Sequence, residues 1–198
     1  MNLIVASNNF GKIREIRSLL QPIEVHSPDD LDLQIEVEET GNSFFENALL
    51  KAKAFAAETG ITALADDSGL QVDALNGKPG IHSARFGPPE LDDKGRCELL
   101  LKHLKNFPSQ QERKARFCCA MVAFSPNGQQ CESMGYCEGH ITTKLTGEGG
   151  FGYDPVFFIA SHSCTIAQLS KSTKNSISHR GKALQAIRPK LLKLLQAS

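Results

Sequence analysis

The chain of 198 residues is 40% hydrophobic and 22% charged, an ordinary globular composition with enough apolar material for a sizeable core. Lys plus Arg and Asp plus Glu both number 22, so the formal net charge is zero. No global field draws such a chain to nucleic acid or to an anionic membrane, and any polyanion it binds must be held by a local site.

In chain order, residues 3–6 read as a buried strand. Ile13, Ile16, Leu19 and Leu20 then recur at helical spacing, so the chain opens strand, "SNNFGK" loop, helix. The alternation in "LQIEVE" over 33–38 predicts a half-exposed strand. Ser43 and Glu46 form a capping-box signature. The helix after them places Phe45, Ala48, Leu49, Ala52 and Ala56 on one face, and Gly60 closes it. A strand over 61–65 then delivers the chain to Asp66 and Asp67, expected at its end, with Ser68 and Gly69 as turn chemistry.

Residues 77–89, rich in Gly and Pro, read as a long loop. Asp92 caps a helix containing Leu99, Leu100, Leu101 and Leu104. "ARFCCAMVAF" and "QCESMGYCEG" flank Pro126-Asn127-Gly128 as a long hairpin. "GEGGFGYDP" is a second glycine-rich loop, followed by a strand over 156–159. Ser176 or Ser178 caps a last helix carrying Ala183, Leu184, Ile187, Leu191 and Leu194. Mixed strands and helices with a hairpin predict an α/β protein built on a mixed sheet.

The six cysteines form no CxxC pair, and Cys118 and Cys119 lie in an apolar run as reduced core thiols. The first residues carry no basic leader region, and no apolar stretch reaches membrane-spanning length, so a soluble cytoplasmic protein is expected.

Three groups of residues carry chemistry. In "SNNFGK", a strand-to-helix junction offers free backbone N–H groups at a helix N-terminus, beside Lys12. It is either a phosphate cradle or a plain turn with an Asn cap, and it is not a P-loop, because the GxxxxGK[ST] spacing is absent. Asp66 and Asp67, with the acidic run Glu36, Glu38 and Glu39, offer the hard oxygen ligands that suit Mg²⁺. Glu38 and Glu39 point to opposite faces of an extended segment, so one of them can face the site. A phosphate cradle beside carboxylates needs a divalent cation between them, which describes a hydrolytic phosphoryl or nucleotidyl transfer site. Lastly, Phe151 and Tyr153 can stack a base or fill core, and Lys174, His179 and Arg180 cluster hydrogen-bond donors at the final helix.

Taken in register, "SNNFGK", "FFENALLKA", "ADDSGL", "PGIHSARF", "GFGYDP" and "SISHRG" resemble the inosine triphosphate pyrophosphatase family in its bacterial form, over essentially the whole chain. The resemblance implies a single domain over 1–198 with two lobes around a central cleft, an elongated mixed sheet with flanking helices, and a homodimer using Mg²⁺. It implies hydrolysis of ITP, dITP and XTP to the monophosphate and pyrophosphate, which clears deaminated purine nucleotides.

By that resemblance, Ser7, Asn8, Asn9, Phe10, Gly11 and Lys12 hold substrate phosphates, and Asn8 stands where relatives often carry Gly. Asp67 matches the proton acceptor and metal ligand, with Asp66 beside it, and Lys51 matches a second cationic site residue. Ser68 matches a substrate contact. The acidic metal ligand falls on Glu38 or Glu39, with Glu38 favoured. Phe151, Gly152, Tyr153, Asp154, Lys174, His179 and Arg180 match nucleoside-binding positions. Two rivals remain: a catalytically inactive nucleotide sensor, against which both aspartates and Lys12 are intact, and a pyrimidine-type triphosphate pyrophosphatase of related fold, against which "SHRG" argues. An RNA-binding role for Lys182, Arg188, Lys190 and Lys193 is opposed by the zero net charge.

Overall fold

A computed structural model describes residues 2–197. Strand β1 (Asn2–Val5) feeds helix α1 (Phe10–Leu20), whose N-cap is Asn9, and β2 (Glu24–His26) follows. Helix α2 (Phe44–Thr59) starts at Ser43, whose hydroxyl accepts from Glu46 N, and ends at Gly60 with φ +65°, a left-handed position that glycine adopts without a Cβ penalty. The Glu46 carboxylate turns back to Asn42 N rather than to Ser43 N, so the reciprocal half of the capping box is displaced by one residue. The buried face of α2 is Phe44, Asn47, Ala48, Ala52, Phe55 and Ala56, rotated slightly from the expected one, with Phe45 and Leu49 half-buried.

Strand β3 (Thr62–Val72) precedes α3 (Asp93–His103), β4 (Lys114–Phe124), β5 (Gln130–Ile141), β6 (Phe157–Ile159) and β7 (Cys164–Thr165). Two helices close the chain, α4 (Lys171–Ile177) and α5 (His179–Ala197). The sheet order is β2-β1-β3-β4-β5-β6-β7. Strand β1 is parallel to β2 and β3, while β6 is antiparallel to β5 and β7, so the sheet is mixed as expected. The turn at 126–128 joins β4 to β5, and Asp92 caps α3 by accepting from Gly95 N at 2.7 Å.

Three expectations need correction. Residues 33–38 form no strand: their exposure alternates, but they pair with no neighbouring strand. Strand β3 does not stop at Ala65 but runs through both aspartates to Val72, because Leu70 and Val72 continue the buried pattern and the carboxylates find internal partners. The segment before α5 is itself helical: Ser170 caps α4, Ser176 lies inside it, and of the two cap candidates Ser178, extended, immediately precedes α5.

Contacts divide the chain into two compact units. The first holds the described residues up to Ser68, Cys119–Gly135 and those from His179 on; the second holds Gly69–Cys118 and Tyr136–Ser178. In the first, α1 and α5 pack Ile13, Ile16, Leu184, Ile187 and Leu191 against Leu3, Leu64 and Met121 of the strands. In the second, Leu70, Cys97, Leu100, Phe117, Val156 and Phe157 form a separate core. None of the six cysteines forms a disulfide among the described residues. No helix among the described residues is long and apolar enough to cross a membrane.

Candidate active site

Successive side chains of a strand point to opposite faces. Asp66 and Asp67 therefore do not lie side by side as two repelling charges. Each meets a different set of partners in the first unit.

Asp66 is fully buried. Its Oδ2 lies 3.2 Å from Lys12 Nζ and accepts from Arg180 Nε at 3.2 Å and Nη2 at 2.9 Å. Arg180, only 1% exposed, also donates from Nη2 to Ser68 Oγ at 2.9 Å and from Nη1 to Glu15 Oε2 at 2.6 Å. Burial alone would raise the Asp66 pKa, but Lys12, Arg180 and Lys51 outweigh it and hold the carboxyl far below the usual carboxylate range. The same exchange leaves Arg180 more firmly protonated: burial opposes its charge, and Asp66 and Glu15 overcome that. Burial lowers the Lys12 pKa, offset in part by Asp66. Asp66 Oδ1 has no hydrogen-bond partner among the described residues.

Asp67 faces α2. Its Oδ2 accepts from Asn47 Nδ2 at 3.1 Å, and its Oδ1 lies 3.9 Å from Lys51 Nζ. Lys51 also donates to Glu39 Oε1 and to the Asp66 carbonyl, both at 2.8 Å. Burial raises the Asp67 pKa and the negative charge of Glu39 adds to it, against the pull of Lys51, Lys12 and the Asn47 amide. For Lys51, burial favours the neutral form, but Asp66, Asp67 and Glu39 outweigh it and raise its pKa. Of the two candidate acids, Glu39 is the one drawn into this group, while Glu38 is exposed.

Four carboxylates (Glu15, Glu39, Asp66, Asp67) thus gather with three cations (Lys12, Lys51, Arg180), which leaves one negative charge in excess. Among the described residues no group of three or more His, Cys, Asp or Glu side chains forms a ready metal cage. Mg²⁺ needs no such cage, since it binds through one or two carboxylates and completes its shell with water and phosphate oxygens. Asp67 and Glu39 supply hard oxygens, and the excess negative charge is of the sign a cation relieves.

The "SNNFGK" turn lies in the same unit. Ser7 Oγ accepts from Asn9 N at 3.2 Å, and Asn9 Oδ1 caps Lys12 N at 3.1 Å. Phe10 and Gly11 precede the first helical bond of α1, so their N–H groups belong to the open helix end. Asn8, Asn9 and Phe10 are exposed, Phe10 at 73%.

The second unit carries the other candidates. Lys174 on α4 is buried, donates to Asp154 Oδ2 at 2.6 Å and sits 4.5 Å over the Phe151 ring. Asp154 also accepts from Phe151 N at 2.9 Å, and Gly152 N donates to Asp93 at 2.7 Å, so both hydrogen bonds shape the loop. Tyr153 is buried, with its hydroxyl on the Ser83 carbonyl at 2.9 Å, where it fills core. His179 is buried at the start of α5, in the first unit.

Arg180 departs most from its expected place. Hydrogen bonds from Nε, Nη1 and Nη2 engage it inside the first unit, so it is a clamp on Asp66 rather than an open donor. Reading the sequence passed over two polar residues of the cluster, Asn47 and Glu15. Asn47 carried a signal: it is a polar residue on the apolar face of α2, one turn before Lys51, and a buried amide needs partners. Glu15 had none, being one of several charges on α1.

An α/β fold whose interior strand β3 carries buried carboxylates beside two lysines and an open helix end defines a phosphoryl-handling protein. The Ham1 family matches residues 3–190, and the chain belongs to that family. It is 49% identical over 187 residues to the dITP/XTP pyrophosphatase of Desulforamulus reducens, covering 93% of this chain and 92% of that protein. It is 44% identical over 193 residues to the dITP/XTP pyrophosphatase of Bacillus cereus, covering 96% and 94%. Among solved structures, the Staphylococcus aureus Ham1 protein superposes with a TM-score of 0.86 at 39% identity, covering 98% of this chain and 99% of that one.

Proposed function

We propose that the protein is a Mg²⁺-dependent nucleoside-triphosphate pyrophosphohydrolase that converts ITP, dITP and XTP to the monophosphate and pyrophosphate. The observation that carries this reading is the setting of Asp67. It is a buried carboxylate of raised pKa, held by an amide on one oxygen and facing a lysine with the other. A raised pKa brings a carboxylate closer to the range in which a general base works near neutral pH.

In this reading Asp67 takes the proton of the attacking water. The water oxygen bonds to the α-phosphorus, and the bond from that phosphorus to the bridging oxygen breaks, so pyrophosphate leaves. Lys12 and Lys51 offer positive charge to phosphate oxygens as charge develops. Asp67 and Glu39 would hold Mg²⁺, which when bound polarises a phosphoryl oxygen and neutralises charge. Asp66, clamped by Arg180, keeps Lys12 in place. The open end of α1 suits phosphate. Lys174, confined between Asp154 and the Phe151 ring, is a donor suited to the 6-oxo group of hypoxanthine or xanthine and ill-suited to the 6-amino group of adenine. We extend the reading to a cytoplasmic homodimer, as the family resemblance implies, and light scattering on a gel-filtration column tests the dimer.

The activity is tested with a panel of nucleoside triphosphates and Mg²⁺, the products being separated by ion exchange. A phosphate-detecting assay should stay silent until inorganic pyrophosphatase is added. Free phosphate without that enzyme means attack at the γ-phosphorus and overturns the mechanism.

A further inference from the structure

Asn47 is fully buried on α2 and uses both ends of its amide. Its Oδ1 accepts from Gly41 N at 2.8 Å and its Nδ2 donates to Asp67 Oδ2 at 3.1 Å. The backbone N–H of Gly41 can only donate, so it fixes which end of the amide is oxygen and leaves the NH₂ for the carboxylate. Gly41 lies two residues beyond Glu39, in a segment that belongs to no strand. A Cβ at Gly41 would lie 2.7 Å from Asn47 Oδ1 and 2.7 Å from Glu46 Cβ, so only glycine lets this segment approach α2 so closely. One helical turn after Asn47, Lys51 grips Glu39 Oε1 at 2.8 Å and lies 3.9 Å from Asp67 Oδ1.

We infer that Asn47 is a positioning residue that sets the separation and orientation of the Asp67 and Glu39 carboxylates, by bridging Asp67 to the Gly41 backbone. Two carboxylates on unconnected pieces of chain, one a rigid strand and the other an irregular segment, need a common reference to act on one ion or one water. Helix α2 supplies it at two points: Asn47 holds one oxygen of Asp67 and the root of the Glu39 segment, and Lys51 faces the other oxygen and the tip of Glu39. Neither the amide nor Gly41 touches substrate in this account. The inference rests on the proposed pyrophosphohydrolase reading and deepens it.

Removing a hydrogen-bond partner of a metal-holding carboxylate typically changes metal affinity or activity by about 10- to 100-fold. Asn47→Ala and Gly41→Ala are therefore compared with wild type in three measurements: kcat and KM for dITP, Mn²⁺ binding to the nucleotide-free protein by electron paramagnetic resonance, and the melting temperature. Wild-type turnover of dITP with release of pyrophosphate tests the parent reading separately. If that fails, the pyrophosphohydrolase is wrong, and the inference about Asn47 falls on the Mn²⁺ measurement alone. The expected result is a kcat lower by roughly 30-fold or more with KM within about threefold, and Mn²⁺ affinity lower by roughly tenfold or more, in both variants. A merely structural amide would lower the melting temperature and leave both kcat per folded molecule and Mn²⁺ affinity near wild type, and that result overturns the inference. If the alanine variant does not fold, Asn47→Asp keeps the shape and the Gly41 bond and turns a carboxylate toward Asp67. A kcat within threefold of wild type in that variant also overturns it.

Discussion

Replacing Arg180 with alanine separates two roles that the sequence left together. As an open donor at the nucleoside, Arg180 would govern the choice between ITP and ATP. As built, it is 1% exposed and holds Asp66, Ser68 and Glu15 by hydrogen bonds from Nε, Nη1 and Nη2. Its removal leaves the fully buried Asp66 with the Lys12 ammonium at 3.2 Å and the Ser68 hydroxyl at 3.2 Å, and takes from Glu15 its guanidinium partner. Breaking a buried pair by deleting one partner costs about 3–5 kcal/mol, because the remaining charge stays desolvated. For a chain of this size each kcal/mol moves the melting temperature by about 2–4 °C, so a fall of roughly 6–20 °C is expected. Differential scanning calorimetry measures it, with Arg180→Lys as a partial rescue, since lysine keeps the charge but not the fork. Activity on ITP and on ATP should fall by the same factor, because the loss acts through Asp66. A melting temperature within 2 °C of wild type, or a loss confined to ITP, refutes the clamp.

Asp67→Asn keeps shape but cannot accept a proton, so kcat for dITP should fall by about 10²–10⁴-fold while the melting temperature holds; near-normal turnover would remove Asp67 from the chemistry. Lys174→Met keeps the buried stem and removes the ammonium. A hydrogen bond to a charged group contributes about 1.5–3 kcal/mol, so kcat/KM for ITP should drop by roughly ten- to a hundredfold and that for ATP much less. Equal losses would mean that Lys174 does not read the base. The depressed Asp66 pKa contributes stability that is present above the unfolded value of 3.8 and lost as pH falls toward the folded one. Denaturant titrations between pH 5 and 2 should therefore show a falling free energy of unfolding, with a shallower fall in Arg180→Ala; identical slopes in both proteins would count against Asp66 as the linked group.

Much of this protein was legible in one dimension. Apolar spacing placed α1, α2, α3 and α5, Ser43, Asp92 and Gly60 marked helix ends, and the Pro126-Asn127-Gly128 turn marked the hairpin, because each is a local preference of a few residues. Asp66, Asp67, Lys12 and Lys51 stood out as charges beside apolar runs. Local preference could not say that β3 runs on through its two aspartates. A carboxylate inside a strand is tolerable only where distant groups satisfy it, and here these come from positions 12, 47, 51 and 180. The same long-range pairing turned Arg180 inward onto Asp66, chose Glu39 over Glu38 for Lys51, and left 33–38 without a strand for want of a neighbour. Local sequence therefore marked Lys12, Lys51, Asp66 and Asp67 as charges out of place in apolar surroundings, but not Asn47 or Glu15, which join them. Tertiary structure alone decided which carboxylate meets which cation, because that depends on burial and on contacts between residues far apart in the chain.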